Sequence, residues 1–252
     1  MTDDSVALRV VGPVATITLD RPEVLNAQTT ATWERLRQIG HELPGDVRVV
    51  VVRGAGRAFS AGLDLTTVAG PSGLLADLTA GSPEACAARI ATYQEGFTWL
   101  RRPDLVTVAA VHGPAVGAGF QLALHCDLRV LADDARLAMA EVTHGLVPDL
   151  GGTRRLVELV GSARALELCL TGRFVDAAEA ARLGLATLVV PPPQLTAATD
   201  DLVAALLAAD RDAAAEIKAL VSAALTRSPA EQYRAEREAQ TRRLFRMAGR
   251  GD

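Results

Sequence analysis

The sequence predicts an α/β fold, either as one domain or as one domain with a helical appendage. Two runs of alternating β-branched residues, Val6–Val11 and Val14–Leu19, flank Gly12-Pro13 and predict a hairpin. Residues 47–52 are almost all valine, interrupted only by Arg48, which is typical of a strand covered on both faces of a parallel sheet. The C-terminal third has mainly helical spacing. With 252 residues and 49% hydrophobic content, the chain can bury a large core.

Composition excludes several classes of protein. The formal net charge is −4 and there is no long basic run, so nucleic acid is disfavoured as the main partner. Cys86, Cys126 and Cys169 have neither the even count of a disulfide framework nor the close spacing of a zinc site. Residues 1–4 are acidic, without a charged-then-apolar leader, and no apolar run reaches membrane-spanning length. We therefore expect a cytoplasmic protein with core thiols, no bound metal and no membrane partner.

The first glycine-rich turn follows the valine-rich strand. Asp20-Arg21-Pro22 ends the hairpin, and a helix is predicted from about residue 30 to residue 43. After the strand, the turn at residues 53–57 leads into residues 58–65. Ala61 and Gly62 are small enough for a ligand to approach the backbone there. This turn is a candidate for presenting an N–H group to an anion.

Residues 68–83 are rich in Gly, Ser, Pro, Ala and Leu without a clear period. We interpret them as a mobile or loosely helical insertion of the kind that lines or covers a pocket. Residues 84–100 return to helical spacing, with Ile90, Tyr93 and Phe97 three or four residues apart. Taken singly, these side chains are expected to pack in the core.

The second glycine-rich turn lies in residues 111–127, which are predicted to form strand, turn, buried helix and strand. Gly117 and Gly119 remove side chains where the helix begins, leaving N–H groups near Ala118 accessible at the positive end of the helix dipole. The nucleotide fingerprint is incomplete because Leu122 occupies its third glycine position, and no phosphate-loop motif is present. The turn either binds an anion or only packs a helix tightly on a sheet.

Two carboxylates follow in a short extended piece and a loop. Glu141 lies among apolar residues, where desolvation would raise its pKa towards the range useful to a general base. Asp149, eight residues later beside two glycines, is either a second acid or a helix N-cap.

The remaining elements are mainly helical, and residues 191–193, all proline, separate a core at 1–190 from a helical region at 191–252. Capping boxes are predicted at Asp176 and at Ser228. The last helix carries four arginines that either offset its C-terminal dipole or bind phosphate; they are Arg242, Arg243, Arg246 and Arg250.

In this order the motifs resemble those of the crotonase family, the enoyl-CoA hydratase and isomerase superfamily. The resemblance covers residues 6–190 and rests on the segments 20–27, 59–64, 110–132, 141–156 and 161–185. It implies a spiral core of repeated ββα units, a C-terminal helical region that forms trimers or dimers of trimers, and an acyl-CoA thioester as substrate. No separate cofactor is implied, because coenzyme A is carried by the substrate.

The resemblance also implies site residues. Its oxyanion hole falls on the backbone N–H groups of Ala61 and Ala118, which would stabilise charge developing on the thioester oxygen. Residues 68–83 with Tyr93, Phe97 and Trp99 are expected to border the acyl group. The residues expected to contact the substrate are Val24, Leu25, Ala27, Gly62, Leu63, Asp64, Gly117 and Gly119.

The chain departs from the family pattern at one position. The hydratases that this chain resembles share two glutamates. Glu141 matches the second, whereas Gln121 occupies the place of the first. An amide cannot accept a proton at neutral pH. Asp149 resembles an acidic residue of dienoyl-CoA isomerases and also the nucleophile of aroyl-CoA dehalogenases. We therefore expect an enolate-forming isomerase with Glu141 as proton carrier and Asp149 as partner. Hydration, dehalogenation and acyl-CoA binding without turnover are the alternatives.

Overall fold

The structure is a computed structural model and describes residues 5–249; residues 1–4 and Arg250, which carried predictions, lie outside it. The strands are β1 (Val6–Val11), β2 (Val14–Leu19), β3 (Val49–Gly54), β4 (Val106–Val111), β5 (Pro114–Val116), β6 (Leu128–Ala132), β7 (Arg136–Ala138), β8 (Val175–Asp176) and β9 (Leu188–Val190). The α-helices are α1 (Thr30–Glu42), α2 (Leu74–Thr79), α3 (Pro83–Thr98), α4 (Ala118–His125), α5 (Gly152–Val160), α6 (Ser162–Thr171), α7 (Ala177–Arg182), α8 (Leu195–Ala208), α9 (Arg211–Ala223) and α10 (Pro229–Met247).

The larger sheet has the strand order β1-β2-β3-β4-β6-β9. β1 and β2 form the predicted antiparallel hairpin, and every later pair in this sheet is parallel. Residues 49–52 of β3 are buried on both faces of the strand, so the interpretation of the valine run is confirmed. The α/β class follows from this sheet and the helices that cover it.

A smaller sheet of β5, β7 and β8 carries the second glycine turn. β5 and β7 are parallel, and β5 leads through Gly117 directly into the buried helix α4. A single bridge between Ser60 and Ala115 connects the first glycine turn to β5. The two turns are therefore brought together although nearly sixty residues separate them in the sequence.

Charge pairs connect α9 to the core and α10 to α9. Lys218 of α9 is 9% exposed, and its Nζ lies 2.7 Å from Asp127 Oδ2 and donates to the Leu105 carbonyl at 2.6 Å. Three of the four arginines predicted to offset the helix dipole or bind phosphate pair with acids at the start of α9 or within it, and Arg246 lies in the last turn of α10. The pairs are Arg242–Glu216, Arg243–Asp210, Arg243–Asp212 and Arg246–Asp212. Within residues 5–249, no helix combines the length and apolar character needed to cross a bilayer.

Several local predictions can be compared with the structure. Asp176 and Ser228 cap α7 and α10 through their side chains, and the box at Ser228 is complete. The insertion at residues 68–83 contains the short helix α2, which confirms the loosely helical interpretation. The short extended piece predicted before Glu141 is β7, and within the predicted loop Glu141 begins a 3₁₀ helix, Glu141–His144.

Candidate active site

The two glycine turns lie in direct contact. Gly62 has φ +87°, and a Cβ at this position would collide with the carbonyl oxygen of Val116 and lie 3.5 Å from the Ala118 nitrogen. A Cβ on Gly119 would lie 2.6 Å from the carbonyl oxygen of Ser60. Both glycines are needed because any side chain would push the turns apart. The first turn therefore packs against the N-terminus of α4.

The structure corrects the prediction for one of the two backbone donors. The Ala61 N–H donates to the Leu25 carbonyl at 2.8 Å, so this group is already occupied. Two residues on, the Leu63 N–H has no acceptor among residues 5–249, and Leu63 lines the same cavity as Ala118. Ala118 is the first residue of α4, where backbone N–H groups have no intrahelical acceptor. Leu63 and Ala118 are therefore the pair of donors available to an oxyanion.

The turn carrying Leu63 is held by Asp64. This carboxylate accepts hydrogen bonds from the Thr66 hydroxyl at 2.6 Å and from Arg21 Nη2 at 3.1 Å, and Arg21 also donates to the Ala27 carbonyl at 2.8 Å. The Thr66 hydroxyl and then Arg21 hold the pKa of Asp64 below its usual value. Asp64 thus positions the turn. Its contact with a substrate stays a prediction, as do the contacts of Val24, Leu25 and Ala27.

Glu141 presents one free carboxylate oxygen to the cavity that it lines. Its Oε1 accepts a hydrogen bond of 2.7 Å from Gln121 Nε2. Its Oε2 is buried and has no hydrogen-bond partner among the described residues. Burial raises the pKa of Glu141, as the sequence predicted. A Cβ on Gly117 would lie 3.3 Å from Oε1, so the carboxylate also lies beside the second glycine turn.

Gln121 is held so that both ends of its amide are engaged. Its side chain leaves α4 in the interior, where the residue is 1% exposed. Its Oε1 accepts from the backbone N–H groups of Leu150 at 3.0 Å and Gly152 at 3.1 Å. These two donors fix the orientation of the amide and direct Nε2 to Glu141.

Asp149 lies in the same cavity as Glu141 but does not cap a helix. The residue before α5 is Gly151, and no side chain caps that helix, so the N-cap alternative is wrong. The main chain of Asp149 is fixed from α3, where Gln94 Nε2 donates to its carbonyl at 2.6 Å. Although the residue is exposed, desolvation by the surrounding protein raises the pKa of Asp149, which lines the cavity. Two carboxyl groups with raised pKa values thus share one apolar cavity.

The cavity has a volume of about 340 Å³ and is mainly apolar. Tyr93 lines it as predicted, but neither Phe97 nor Trp99 does; Phe97 is fully buried, and Trp99 packs against Gly40. Residues of the insertion at 68–83 form part of the cavity wall. The sequence did not identify other lining residues, because an apolar helix face has the same spacing whether it packs in the core or contacts a ligand. The lining aliphatic and aromatic side chains include Trp33, Leu65, Val68, Leu74, Leu75, Leu78, Ile90, Tyr93, Leu146 and Val147.

Within residues 5–249, no cluster of three or more His, Cys, Asp or Glu side chains is arranged to hold a metal ion. The polar groups of the residues that line the cavity include the carboxyl groups of Glu141 and Asp149, the imidazole of His144, the amide of Gln121 and the two backbone donors. Such a set can remove a proton from a carbon atom next to a carbonyl group while hydrogen bonds stabilise the resulting enolate.

Comparison with known proteins identifies the family. The family model for enoyl-CoA hydratase/isomerase matches residues 10–247, and the chain belongs to this family of enzymes. A relative described as a probable enoyl-CoA hydratase from Mycobacterium tuberculosis (strain CDC 1551 / Oshkosh) is 36% identical over 197 residues, which are 77% of this chain and 72% of the relative. The short-chain-enoyl-CoA hydratase of Clostridium acetobutylicum is 33% identical over 202 residues, with 76% of this chain and 71% of the relative covered.

Solved structures agree on the fold. A Thermobifida fusca YX protein crystallised with CoA is 51% identical, with a TM-score of 0.90 and 97% and 95% of the two chains covered. A crystal structure from the same organism with acetoacetyl-CoA is also 51% identical, with a TM-score of 0.90 and coverage of 95% and 94%. The enoyl-CoA hydratase of Bacillus anthracis is 28% identical, with a TM-score of 0.84 and coverage of 97% and 95%. The crotonase-type fold of this chain is thereby confirmed.

Proposed function

We propose that this enzyme moves a double bond along the acyl chain of an enoyl-CoA through an enolate. Glu141 Oε2 takes the proton from the α-carbon of a 3-enoyl thioester, and the electrons of that C–H bond pass into the conjugated dienolate. The same carboxyl group then returns the proton to the γ-carbon, which leaves a 2-enoyl thioester. The step is redox-neutral and needs one base with a raised pKa, as burial gives Glu141.

One observation carries the preference for isomerisation over hydration: the acceptor oxygen of the Gln121 amide is already occupied and cannot take a proton from water. Its oxygen is occupied by two backbone donors, and its nitrogen donates to Glu141. An amide is also not a base at neutral pH. The resemblance implies that hydration in this family uses two glutamates, and here Gln121 occupies the place of the first.

Leu63 and Ala118 support the enolate step. In the transition state, negative charge develops on the thioester oxygen, and two fixed N–H donors stabilise that charge more than the neutral carbonyl. Loss of one such donor in another enzyme costs about 3 kcal/mol. The acyl-CoA ligand is supported by the CoA and acetoacetyl-CoA complexes of the Thermobifida fusca protein.

The direct test is to assay crotonyl-CoA hydration and 3-enoyl-CoA isomerisation side by side on the same preparation. We expect isomerisation to be faster by at least about 100-fold, the smaller end of the contribution of a positioned general base. Rapid hydration of crotonyl-CoA would instead support the activity named for the relatives and would refute the argument from Gln121.

Two variants separate the roles of the carboxylates. Glu141→Gln should abolish isomerisation while the affinity for a saturated acyl-CoA stays within a few-fold of wild type. Asp149→Asn should lower the rate while leaving measurable turnover, because Asp149 assists and Glu141 carries the proton. If no enoyl-CoA gives a product with the wild-type enzyme, yet acyl-CoA binds tightly, the protein is a carrier and the isomerase proposal fails.

The predicted trimer and the cytoplasmic location remain part of the proposal. Support for the trimer comes from apolar side chains exposed on the C-terminal helices, among them Ile217, Val221, Phe245 and Met247. Support for a reducing compartment comes from Cys86, Cys126 and Cys169, none of which forms a disulfide in the structure. Light scattering after size exclusion should give three or six times the 26.4 kDa chain mass; a monomer would refute this assignment.

A further inference from the structure

The cavity that holds the catalytic carboxylates has an exposed rim and a buried inner wall. At the rim, Leu75 is 59% exposed and Val147 is 73% exposed. At the inner wall, Trp33 is 4% exposed and Tyr93 is 8% exposed. The gradient in exposure shows which way the cavity enters the molecule, from the rim towards the pair of aromatic rings contributed by α1 and α3.

The indole of Trp33 is fixed in place by a buried chain of hydrogen bonds. Its Nε1 donates to Gln28 Oε1 at 2.8 Å, and Gln28 Nε2 in turn donates to Ser60 Oγ at 3.0 Å. Ser60 Oγ donates to the Asn26 carbonyl at 2.8 Å. Gln28 is fully buried, so moving the indole would leave the amide oxygen of Gln28 and the N–H of the indole without hydrogen-bond partners, which is costly.

Packing restricts Trp33 from the other sides. Its ring lies 5.1 Å from the ring of Tyr93 and 6.3 Å from that of Phe97, measured between centroids. Its backbone is pressed against α3, since a Cβ on Gly96 would lie 2.5 Å from the Trp33 carbonyl oxygen. An acyl chain that reaches this ring therefore meets a wall that cannot swing aside.

We infer that Trp33 is the specificity-determining residue that limits the length of the acyl chain. The inference rests on the proposed function, namely that the cavity holds the acyl group of a CoA thioester. The substrate class is an apolar acyl chain short enough to end before the indole. The chain is apolar because the side chains around Trp33 that line the cavity are aliphatic or aromatic, and burying a charge against them is costly.

The first experiment measures binding of a saturated acyl-CoA series, from butanoyl-CoA upwards in steps of two carbons. The chain has two tryptophans, so Trp99→Phe leaves Trp33 as the only source of indole fluorescence. We expect affinity to rise with chain length and then to fall at least tenfold at the first chain that reaches Trp33, because one methylene in a closed apolar pocket changes affinity by 10- to 200-fold. The emission of Trp33 should change most at the chain lengths just below that break.

The second experiment moves the wall. Trp33→Leu should shift the break to chains longer by two or more carbons, and Trp33→Phe, a milder change, should shift it in the same direction by less. Trp99→Leu is the matched control, because Trp99 does not line the cavity, and it should leave the break where it is.

Two outcomes overturn the inference. One is a break that stays in place in both Trp33 variants. The other is wild-type affinity that rises without a break while Trp33 emission stays constant, which would mean that the chain leaves the cavity past the rim. Saturated thioesters cannot be isomerised, so this series stands whether or not the enzyme is an isomerase. Binding without any turnover refutes the proposed function alone, whereas an unmoved break refutes the role of Trp33 alone.

Discussion

Gln121→Glu is the substitution that most sharply probes the arrangement of the site. The new carboxylate would have nearly the same shape as the amide. One oxygen would still accept from the backbone N–H groups of Leu150 and Gly152, and the other would face Glu141 Oε1 where Nε2 now donates at 2.7 Å. A hydrogen bond is thus replaced by two carboxylates in contact, which cannot both ionise at neutral pH.

The size of the effect follows from Coulomb's law. Two unit charges about 4 Å apart repel by about 4 kcal/mol at an effective dielectric constant near 20. Since one pKa unit corresponds to about 1.4 kcal/mol, the second ionisation of the pair shifts upwards by up to about three units. Relaxation of the side chains reduces this value, so we expect the acid limb of the isomerisation profile to move to higher pH by about one to three units.

The assay is the pH dependence of kcat/KM for 3-enoyl-CoA isomerisation, with crotonyl-CoA hydration followed in parallel. The variant should isomerise more slowly than wild type at pH 7 and recover at higher pH. It should also gain hydration, because a carboxylate then occupies the place of the first hydratase glutamate. Gln38→Glu, on the exposed part of α1, adds the same charge far from the cavity and should change neither profile. An unmoved acid limb together with unchanged hydration would refute the reasoning.

Three further predictions concern stability. Burial raises the pKa of Glu141 in the folded state, so wild-type stability should fall as pH rises through that pKa. Glu141→Gln should therefore melt at a higher temperature than wild type at pH 8 and lose this advantage at acid pH. A Tm equal to that of wild type at both pH values would contradict this. Asp64 has a lowered pKa, so its contribution to the free energy of unfolding is present at pH 7 and is lost as pH falls. Asp64→Asn should lower that free energy by about 1–3 kcal/mol in urea unfolding at pH 7. An unchanged free energy of unfolding would count against the role of Asp64 in holding the turn. Burial lowers the pKa of His125 from 6.5 to about 4, so the free energy of unfolding should fall by about 3 kcal/mol as pH drops between these values. His125→Gln should remove that loss. The same pH dependence of stability in the variant as in wild type would contradict this.

Local pattern was sufficient for the elements that define the fold. The hairpin follows from alternation around Gly12-Pro13, and the valine run at residues 47–52 carries its own signal of burial on two faces. The cap at Ser228 depends only on residues within one turn of helix. In each case the interacting groups are close in sequence, so their outcome does not depend on distant parts of the chain.

The assignment of the oxyanion donor depended on a distant contact. Ala61 and Leu63 belong to the same small turn, and either N–H group could have faced a ligand. The choice is made by the Leu25 carbonyl, thirty-six residues before Ala61, which accepts the Ala61 N–H. No property of the turn's own sequence reveals that contact, and this is why the first assignment was wrong.

The aromatic residues of the cavity show the same limit. Trp33 lies on a face of one predicted helix and Trp99 near the end of another. The sequence favoured Trp99 as a border of the pocket. The structure places Trp33 in the cavity wall and Trp99 against Gly40, because the crossing of α1 and α3 decides which face meets the ligand. Helix packing of this kind is tertiary and is not encoded in the spacing of either helix.

The proposed role of Glu141 as the single proton carrier is tested most directly by proton NMR of a 3-enoyl-CoA incubated with the enzyme in D₂O. With the wild-type enzyme, we predict a 2-enoyl-CoA as the first product, with deuterium at the γ-carbon to the extent that the carboxyl proton exchanges with solvent. With Glu141→Gln, we predict neither product nor exchange of the α-proton. A 3-hydroxyacyl-CoA formed as fast as the 2-enoyl product, or α-proton exchange that persists in Glu141→Gln, would contradict the account.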